Sequence, residues 1–181
     1  LGGAARVARA SDWTELGGDC DQSHASAEQS GPVFALSWAY SLNSGPIIAT
    51  PISTGGELIV AGGVAPGVQG KLAALKATDG SELWTRSFLS GVRATPVGSG
   101  HQVAVSTIGG QLYSLDLASG NIVWQRAFGG QNYSSPVLVT GASSGDPDSL
   151  VVGAGFPSKD VWRFNALTGD PIWQTGKNVM L

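Results

Sequence analysis

The carboxylates that could hold a metal ion occur as two short pairs. Asp19 with Asp21 and Asp146 with Asp148 are each separated by one residue, and their oxygens are of the kind that binds Ca²⁺. Ca²⁺ takes six or more oxygen ligands, however, and neither pair continues into the glycine-containing loop of a calcium-binding hand. We therefore interpret both pairs as solvated turns.

The histidines and the single cysteine also lack partners at a useful spacing. His24 and His101 stand apart from other candidate metal ligands, so both are interpreted as surface-loop residues. Cys20 is the only cysteine, which excludes an internal disulfide and a cysteine-based zinc or haem site. No adjacent histidine in a suitable context activates its thiol. The sequence therefore predicts no catalytic, cofactor-binding or metal-binding residue.

One modification motif is present. Asn132-Tyr133-Ser134 has the form of an N-glycosylation acceptor, which matters only in a eukaryotic secretory pathway. The motif abuts a predicted strand, and we interpret it as a chance match.

The composition is rich in glycine and tryptophan and poor in charge. There are 27 glycines and six tryptophans, while charged residues make up 13%, about half the usual share. This favours a β protein with many tight turns and excludes a largely disordered chain. A net charge of −3 without a basic stripe excludes the usual nucleic-acid binder. The longest uncharged stretch, residues 29–56, contains three prolines, so no membrane span is predicted.

A repeat of 40 to 49 residues organises the chain. Four tryptophans, Trp38, Trp84, Trp124 and Trp173, are separated by 46, 40 and 49 residues, and a glycine lies four positions before each of the last three. These glycines are Gly80, Gly120 and Gly169. Upstream of each block a hydroxyl residue precedes a proline, as Thr50-Pro51, Thr95-Pro96 and Ser135-Pro136.

Each repeat unit predicts four short antiparallel strands. The first lies at the proline phrase, the second is an apolar run, and the third shows the alternation of a strand. A glycine turn leads to the fourth strand, which is predicted to end at the tryptophan. Four strands in this length are typical of a propeller blade. The sequence thus predicts an all-β propeller with four-stranded antiparallel blades at 43–88, 89–128 and 129–176. Because closed rings have at least four blades, the ring is predicted to be partial.

The block from Leu115 to Trp124 resembles the tryptophan-docking motif of PQQ-type β-propeller repeats. Such repeats occur in quinoprotein dehydrogenases and in the propeller lipoprotein that assembles outer-membrane barrels. The segment from Asp12 to Asp19, with its Trp and Gly-Gly-Asp, also resembles the start of such proteins. The resemblance covers residues 12–176.

The resemblance implies structural roles for the repeated residues. Trp84, Trp124 and Trp173 would stack on glycines and peptide planes of adjacent blades, at turns that contain Gly80, Gly120 and Gly169. Asp116 matches the motif, whereas Lys76 and Asn165 stand where it often has Asp. Residues 33–42, which include Trp38, would form a strand that completes the last blade. Residues 1–32 would be an N-terminal extension, and the rest of a longer chain would supply the remaining blades.

Two functions are compatible with the resemblance. The favoured one is a non-catalytic scaffold or protein-binding platform without a cofactor, which binds a protein partner on a propeller face. The alternative is the N-terminal part of a dehydrogenase that oxidises alcohols or sugars with PQQ and calcium. It is less favoured because the vicinal cysteine pair of some alcohol-oxidising members is missing and no Glu-Asn-Asp set is recognisable.

Two further expectations concern the partner surface and the compartment. The loops at 62–70 and 141–149 break the regular length of the repeat, and we predict that they form the partner surface. Ala8-Arg9-Ala10 has the small-x-small form of a signal-peptidase site, either as the remnant of an export signal or simply at the start of the sequence. With the resemblance, this predicts a periplasmic, cell-surface or secreted protein.

Overall fold

The computed structural model of the protein describes residues 38–43, 45–62, 69–141, 143 and 145–175. Every regular element in these ranges is a β-strand, and no helix among them is long and apolar enough to cross a membrane. The predictions for Asp19, Cys20, Asp21 and His24, and for the extension 1–32, lie outside the described residues.

Twelve strands form three sheets, each of four consecutive strands. Blade 1 consists of β1 (Ile52–Thr54), β2 (Glu57–Gly62), β3 (Gly70–Lys76) and β4 (Glu82–Phe88). Blade 2 consists of β5 (Val97–Ser99), β6 (Gln102–Ser106), β7 (Gln111–Asp116) and β8 (Ile122–Ala127). Blade 3 consists of β9 (Val137–Val139), β10 (Ser149–Gly153), β11 (Val161–Asn165) and β12 (Pro171–Gln174).

All neighbouring strands pair antiparallel in sequence order. The all-β, four-stranded propeller architecture with a partial ring is therefore confirmed, and each sheet lies within one of the predicted units 43–88, 89–128 and 129–176.

The meander gives the blades two ends. We call the end with the first-to-second and third-to-fourth strand turns the turn face. The opposite end, with the second-to-third turns and the segments 89–96 and 128–136 that join blades, is the connection face.

The fourth strand differs from the sequence prediction. It does not end at the tryptophan: Trp84 is the third residue of β4, which continues to Phe88 opposite Gly70. In each blade the register between the third and fourth strands shifts beside the tryptophan, because Trp84 pairs with Ala74 while Glu82 pairs with Leu75. The aliphatic residue before each tryptophan is the extra residue of a β-bulge, which locally re-aims side chains.

The hydrophobic core lies between blades. One cluster combines Ile52, Leu72 and Trp84 of blade 1 with Val105 and Leu115 of blade 2. A second joins blades 2 and 3 in the same way. A single sheet of this size has no partner on which to bury its apolar faces, so each blade depends on its neighbour for a core.

The segment before blade 1 packs without joining a sheet. Residues 38–42, the described part of the predicted strand 33–42, pair with no described strand. Leu42 is buried against Ala73 and Leu75, and Trp38 and Tyr40 pack on the same cluster. Whether residues 33–42 complete a last blade stays a prediction.

Candidate inter-blade docking site and binding face

Three tryptophans lie directly on turn glycines. Trp38 lies on Gly80 of blade 1, Trp84 on Gly120 of blade 2, and Trp124 on Gly169 of blade 3. A β-carbon added to any of these glycines would come within 2.5 Å of the indole Cδ2 atom. Only a residue without a side chain therefore permits this contact.

Each of these indoles also donates a hydrogen bond to the turn on which it lies. Nε1 of Trp38, Trp84 and Trp124 donates to a carbonyl three residues before the docked glycine, at 3.1, 2.8 and 3.1 Å. The three accepting residues are Ala77, Leu117 and Ala166. Because stacking and hydrogen bond act together, each tryptophan fixes the register between two units.

The three receiving turns share one backbone geometry. The glycine N–H donates to the residue four positions earlier, from Gly80 to Lys76, Gly120 to Asp116 and Gly169 to Asn165, at 2.8 to 2.9 Å. The glycines have φ values of 67° to 72°, a left-handed conformation that L-residues adopt at a cost. The turn thus holds its peptide planes ready for the indole.

Acceptor side chains support two of these turns in the same way. Asp116 Oδ1 accepts from the N–H and hydroxyl of Ser119, and Asn165 Oδ1 accepts from the N–H groups of Leu167 and Thr168. Asn165 therefore replaces the aspartate of the motif and still accepts the backbone hydrogen bonds of the turn. The hydrogen bonds from Ser119 lower the pKa of Asp116.

In the first turn a different residue takes this role. Lys76 occupies the motif position, and Asp79 Oδ1 accepts from the Ser81 N–H at 2.9 Å. The hydrogen bonds from Ser81 lower the pKa of Asp79.

The residue two positions after each docked tryptophan also reaches the next turn. Arg86 Nε donates to Gly120 O at 2.8 Å, and Arg126 pairs with Asp170 at 3.4 Å. Tyr40 donates to the Glu82 carboxylate, and desolvation together with this bond raises the pKa of Tyr40 to about 12. Sequence reasoning missed these contacts, although the repeated Trp-x-Arg of blades 1 and 2 was a visible signal.

A second ladder connects the blades at the proline phrases. The Thr50 N–H donates to Thr95 Oγ1 at 3.3 Å, and the Thr95 N–H donates to Ser135 Oγ at 2.9 Å. Thr95 and Ser135 therefore each accept from the N–H of the equivalent residue one repeat unit earlier. This explains why a hydroxyl residue, and not only a proline, recurs there.

Trp173 differs from the other three tryptophans. It is half-buried, and within the described part of the chain no glycine turn lies against it and no carbonyl accepts from its Nε1. Whether Trp173 docks on a glycine turn, as the resemblance implies, stays a prediction.

On the connection face, equivalent positions of three successive units come together. Ile48, Arg93 and Tyr133 each precede the hydroxyl residue of the ladder by two positions, are exposed, and line one open cavity of about 490 Å³. The Arg93 guanidinium lies 5.2 Å from the centre of the Tyr133 ring, within the range of a cation–π contact. This group was not predictable from the sequence, because its successive members are 45 and 40 residues apart.

The asparagine side chain of the glycosylation motif is buried. Asn132 is 2% exposed, and its Oδ1 accepts from the Ser134 N–H at 2.7 Å. A buried, engaged side chain of this kind is not an acceptor for a glycan.

The carboxylate pair of blade 3 lies in a turn. Asp148 accepts from the Gly141 N–H at 3.0 Å, and Asp146 and Asp148 are both exposed. Among the described residues no three His, Cys, Asp or Glu side chains form a group that could hold a metal ion. His101 is exposed on the turn face, next to Gly100.

The two irregular loops do not share a face. The loop at 141–149 joins β9 to β10 on the turn face, whereas β2 ends and β3 begins on the connection face. The two loops therefore lie at opposite ends of the blades, and their role as partner surface stays a prediction. Successive connections of an antiparallel meander lie at opposite ends of the sheet, and sequence length alone does not show which end a loop occupies.

Comparison with known proteins places these features in a family. A family model described as outer membrane protein assembly factor BamB matches residues 15–177. No curated protein sequence matches the chain.

Several solved structures share the fold. BamB from Moraxella catarrhalis is 26% identical with a TM-score of 0.58, over 76% of this chain and 39% of that protein. Quinohemoprotein alcohol dehydrogenase ADHIIG from Pseudomonas putida HK5 is 21% identical with a TM-score of 0.73, over 90% and 26% of the two chains. The quinohemoprotein alcohol dehydrogenase of Comamonas testosteroni is 22% identical with a TM-score of 0.73, over 94% and 28%. The chain thus spans less than half the length of each relative.

Proposed function

Because the chain belongs to the PQQ-repeat propeller family whose model is described as outer membrane protein assembly factor BamB, we propose that it is a rigid, non-catalytic scaffold. Its connection face binds a protein partner. A protein of this kind acts by presenting side chains in a fixed arrangement, not by chemical turnover.

The observation that carries the proposal is the apolar character of the connection face. Leu89 is 90% exposed and Phe156 is 76% exposed, and Ile47, Ile48 and Tyr133 are exposed on the same face. Large apolar side chains on one face, on loops held by a rigid framework, are typical of a protein-binding surface.

The docking contacts supply the rigidity that this role needs. The tryptophans fix the blades at the turn face, and the Thr50–Thr95–Ser135 ladder fixes them at the start of the first strands. Residues held in place before binding lose little conformational entropy when the partner arrives. The family relation also favours a location in the periplasm, at the cell surface or outside the cell.

A PQQ-dependent dehydrogenase is the alternative. The two alcohol dehydrogenases above are 21% and 22% identical to this chain, a likeness that extends to the fold and not to their activity. We therefore propose no bound PQQ or calcium.

Site-specific photo-crosslinking in the full-length protein, in its own cell, tests the proposal. A photoreactive phenylalanine at Leu89 or at Phe156 is expected to give a discrete protein adduct. The matched control is Leu167 on the turn face, which is 70% exposed. Adducts of equal yield from all three positions, or from Leu167 alone, would contradict a partner on the connection face, as would the absence of adducts.

A further inference from the structure

We infer that the cavity lined by Ile48, Arg93 and Tyr133 binds a partner segment in which a carboxylate is flanked by apolar side chains. The inference rests on the proposed function, since it specifies the chemistry that the connection face recognises. We refer to these three residues as the Arg93 cleft.

The charge in the cleft is the first argument. Arg93 is exposed, and no carboxylate within the described part of the chain forms an ion pair with it. Other arginines are engaged with neighbouring turns, as Arg86 and Arg126 show. A guanidinium presents a planar set of donors that fits a carboxylate with two parallel hydrogen bonds, so a partner acid group is the complementary ligand.

The position of this guanidinium is held by its surroundings. Val92 and Ala94 on either side are buried, and the following Thr95 is bound at both its N–H and its hydroxyl in the ladder. The contact with the Tyr133 ring holds the side chain across the boundary between two blades. An arginine side chain that is already restricted by such contacts loses less rotamer freedom on binding than an unrestricted surface arginine.

The apolar walls are the second argument. Ile48 is 47% exposed and Tyr133 is 51% exposed, and Ile47 extends the same surface. Tyrosine and arginine are among the residue types that most often dominate the binding energy of protein interfaces. A segment with apolar side chains beside its carboxylate would cover these walls and exclude water from the ion pair.

The shape of the cleft favours a peptide segment as its occupant. Its volume of about 490 Å³ is open to solvent, and it extends over three successive units along the face. An extended chain can follow such a row and place alternate side chains on it. A small organic acid would leave most of the apolar wall exposed.

Fluorescence anisotropy on the full-length protein tests the inference with two labelled octapeptides. The first alternates glutamate with leucine or phenylalanine, and the second has glutamine in place of each glutamate. We expect the glutamate peptide to bind at least about tenfold more tightly, as a charge-assisted hydrogen bond contributes that much. Arg93→Gln should remove this preference, and Arg93→Lys should restore only part of it, because lysine lacks the planar fork.

Lys76→Gln is the matched control, since it removes one exposed positive charge on the turn face. Equal weakening by Arg93→Gln and Lys76→Gln would show general charge attraction and overturn the inference. So would equal affinity for the two peptides, or binding of neither. If these results occurred while Leu89 and Phe156 still gave crosslinked adducts, the proposed function would stand without this specificity. Glutamate-selective binding without adducts would preserve the cleft and refute the proposed role in the cell.

Discussion

Replacing Gly120 by alanine tests the tryptophan–glycine contact, and the chain offers a matched control. Both Gly120 and Gly100 lie in turns on the turn face with positive φ, 67° and 59°. A β-carbon at Gly120 would lie 2.5 Å from Cδ2 and Cε3 of Trp84, whereas one at Gly100 would meet nothing within 4 Å. The two alanine variants therefore share backbone strain but differ in the clash with the indole.

The expected magnitudes follow from these contacts. Positive φ costs an L-residue about 1–2 kcal/mol, so Gly100→Ala should lower the free energy of unfolding by about that amount. In Gly120→Ala the indole of Trp84 must also move, and its hydrogen bond to Leu117 O at 2.8 Å is disturbed. Complete loss of a buried tryptophan contact costs about 3–5 kcal/mol. Gly120→Ala should therefore exceed Gly100→Ala by at least about 2 kcal/mol, allowing for partial relaxation.

Urea unfolding of the full-length protein, followed by circular dichroism, measures both values by linear extrapolation. Unchanged m-values would show that the native and unfolded states are comparable between variants. If the two variants lost the same free energy within about 0.5 kcal/mol, the close packing of Trp84 on Gly120 would have no energetic role, and the docking interpretation would be refuted.

Substitutions at three further positions probe the same framework. Trp124→Ala should lower the free energy of unfolding by about 3–5 kcal/mol. Trp124→Phe keeps most of the aromatic ring and loses mainly the hydrogen bond to Ala166 O, which should cost about 1 kcal/mol. Equal urea midpoints for the two variants would contradict this expectation. Thr95→Val removes the acceptor for the Thr50 N–H and should lower stability in thermal melts by about 1 kcal/mol, while Thr95→Ser should stay near wild type. A larger loss of stability in Thr95→Ser than in Thr95→Val would exclude a stabilising role for the ladder. The lowered pKa of Asp116 means that its stabilisation is present above the unfolded value of about 3.9 and is lost as pH falls through the folded value. Asp116→Asn should therefore flatten the fall of Tm below about pH 4, and an unchanged profile would refute that role for its hydrogen bonds.

The repeat made the blades predictable from the sequence. The fixed offset between Gly120 and Trp124 and the recurrence of Pro51, Pro96 and Pro136 mark the same turn and the same strand start in every unit. Local patterns of this kind can be recognised in the sequence because each blade uses the same residue types for the same turns.

The end of the fourth strand was not predictable in the same way. Trp84 was expected at the end of β4 and lies near its beginning, since the bulge at Leu83 places the indole beside the neighbouring turn. A bulge depends on the pairing of two strands, and the sequence of one strand does not show it.

Contacts between blades were the least accessible part. The pairing of Arg93 with Tyr133 depends on how two blades are placed side by side, and no periodicity within one blade carries that information. The sequence likewise does not show at which end of the blade the loop at 141–149 lies. The strand order places it on the turn face.

Dye-linked alcohol oxidation by the full-length protein, titrated with PQQ and Ca²⁺, tests most directly whether this propeller is a scaffold or an enzyme. If it is a scaffold, the rate of dye reduction stays at that of PQQ and Ca²⁺ without protein, across a panel of alcohols and sugars. A saturable rate that depends on both PQQ and protein would contradict the scaffold and establish the dehydrogenase.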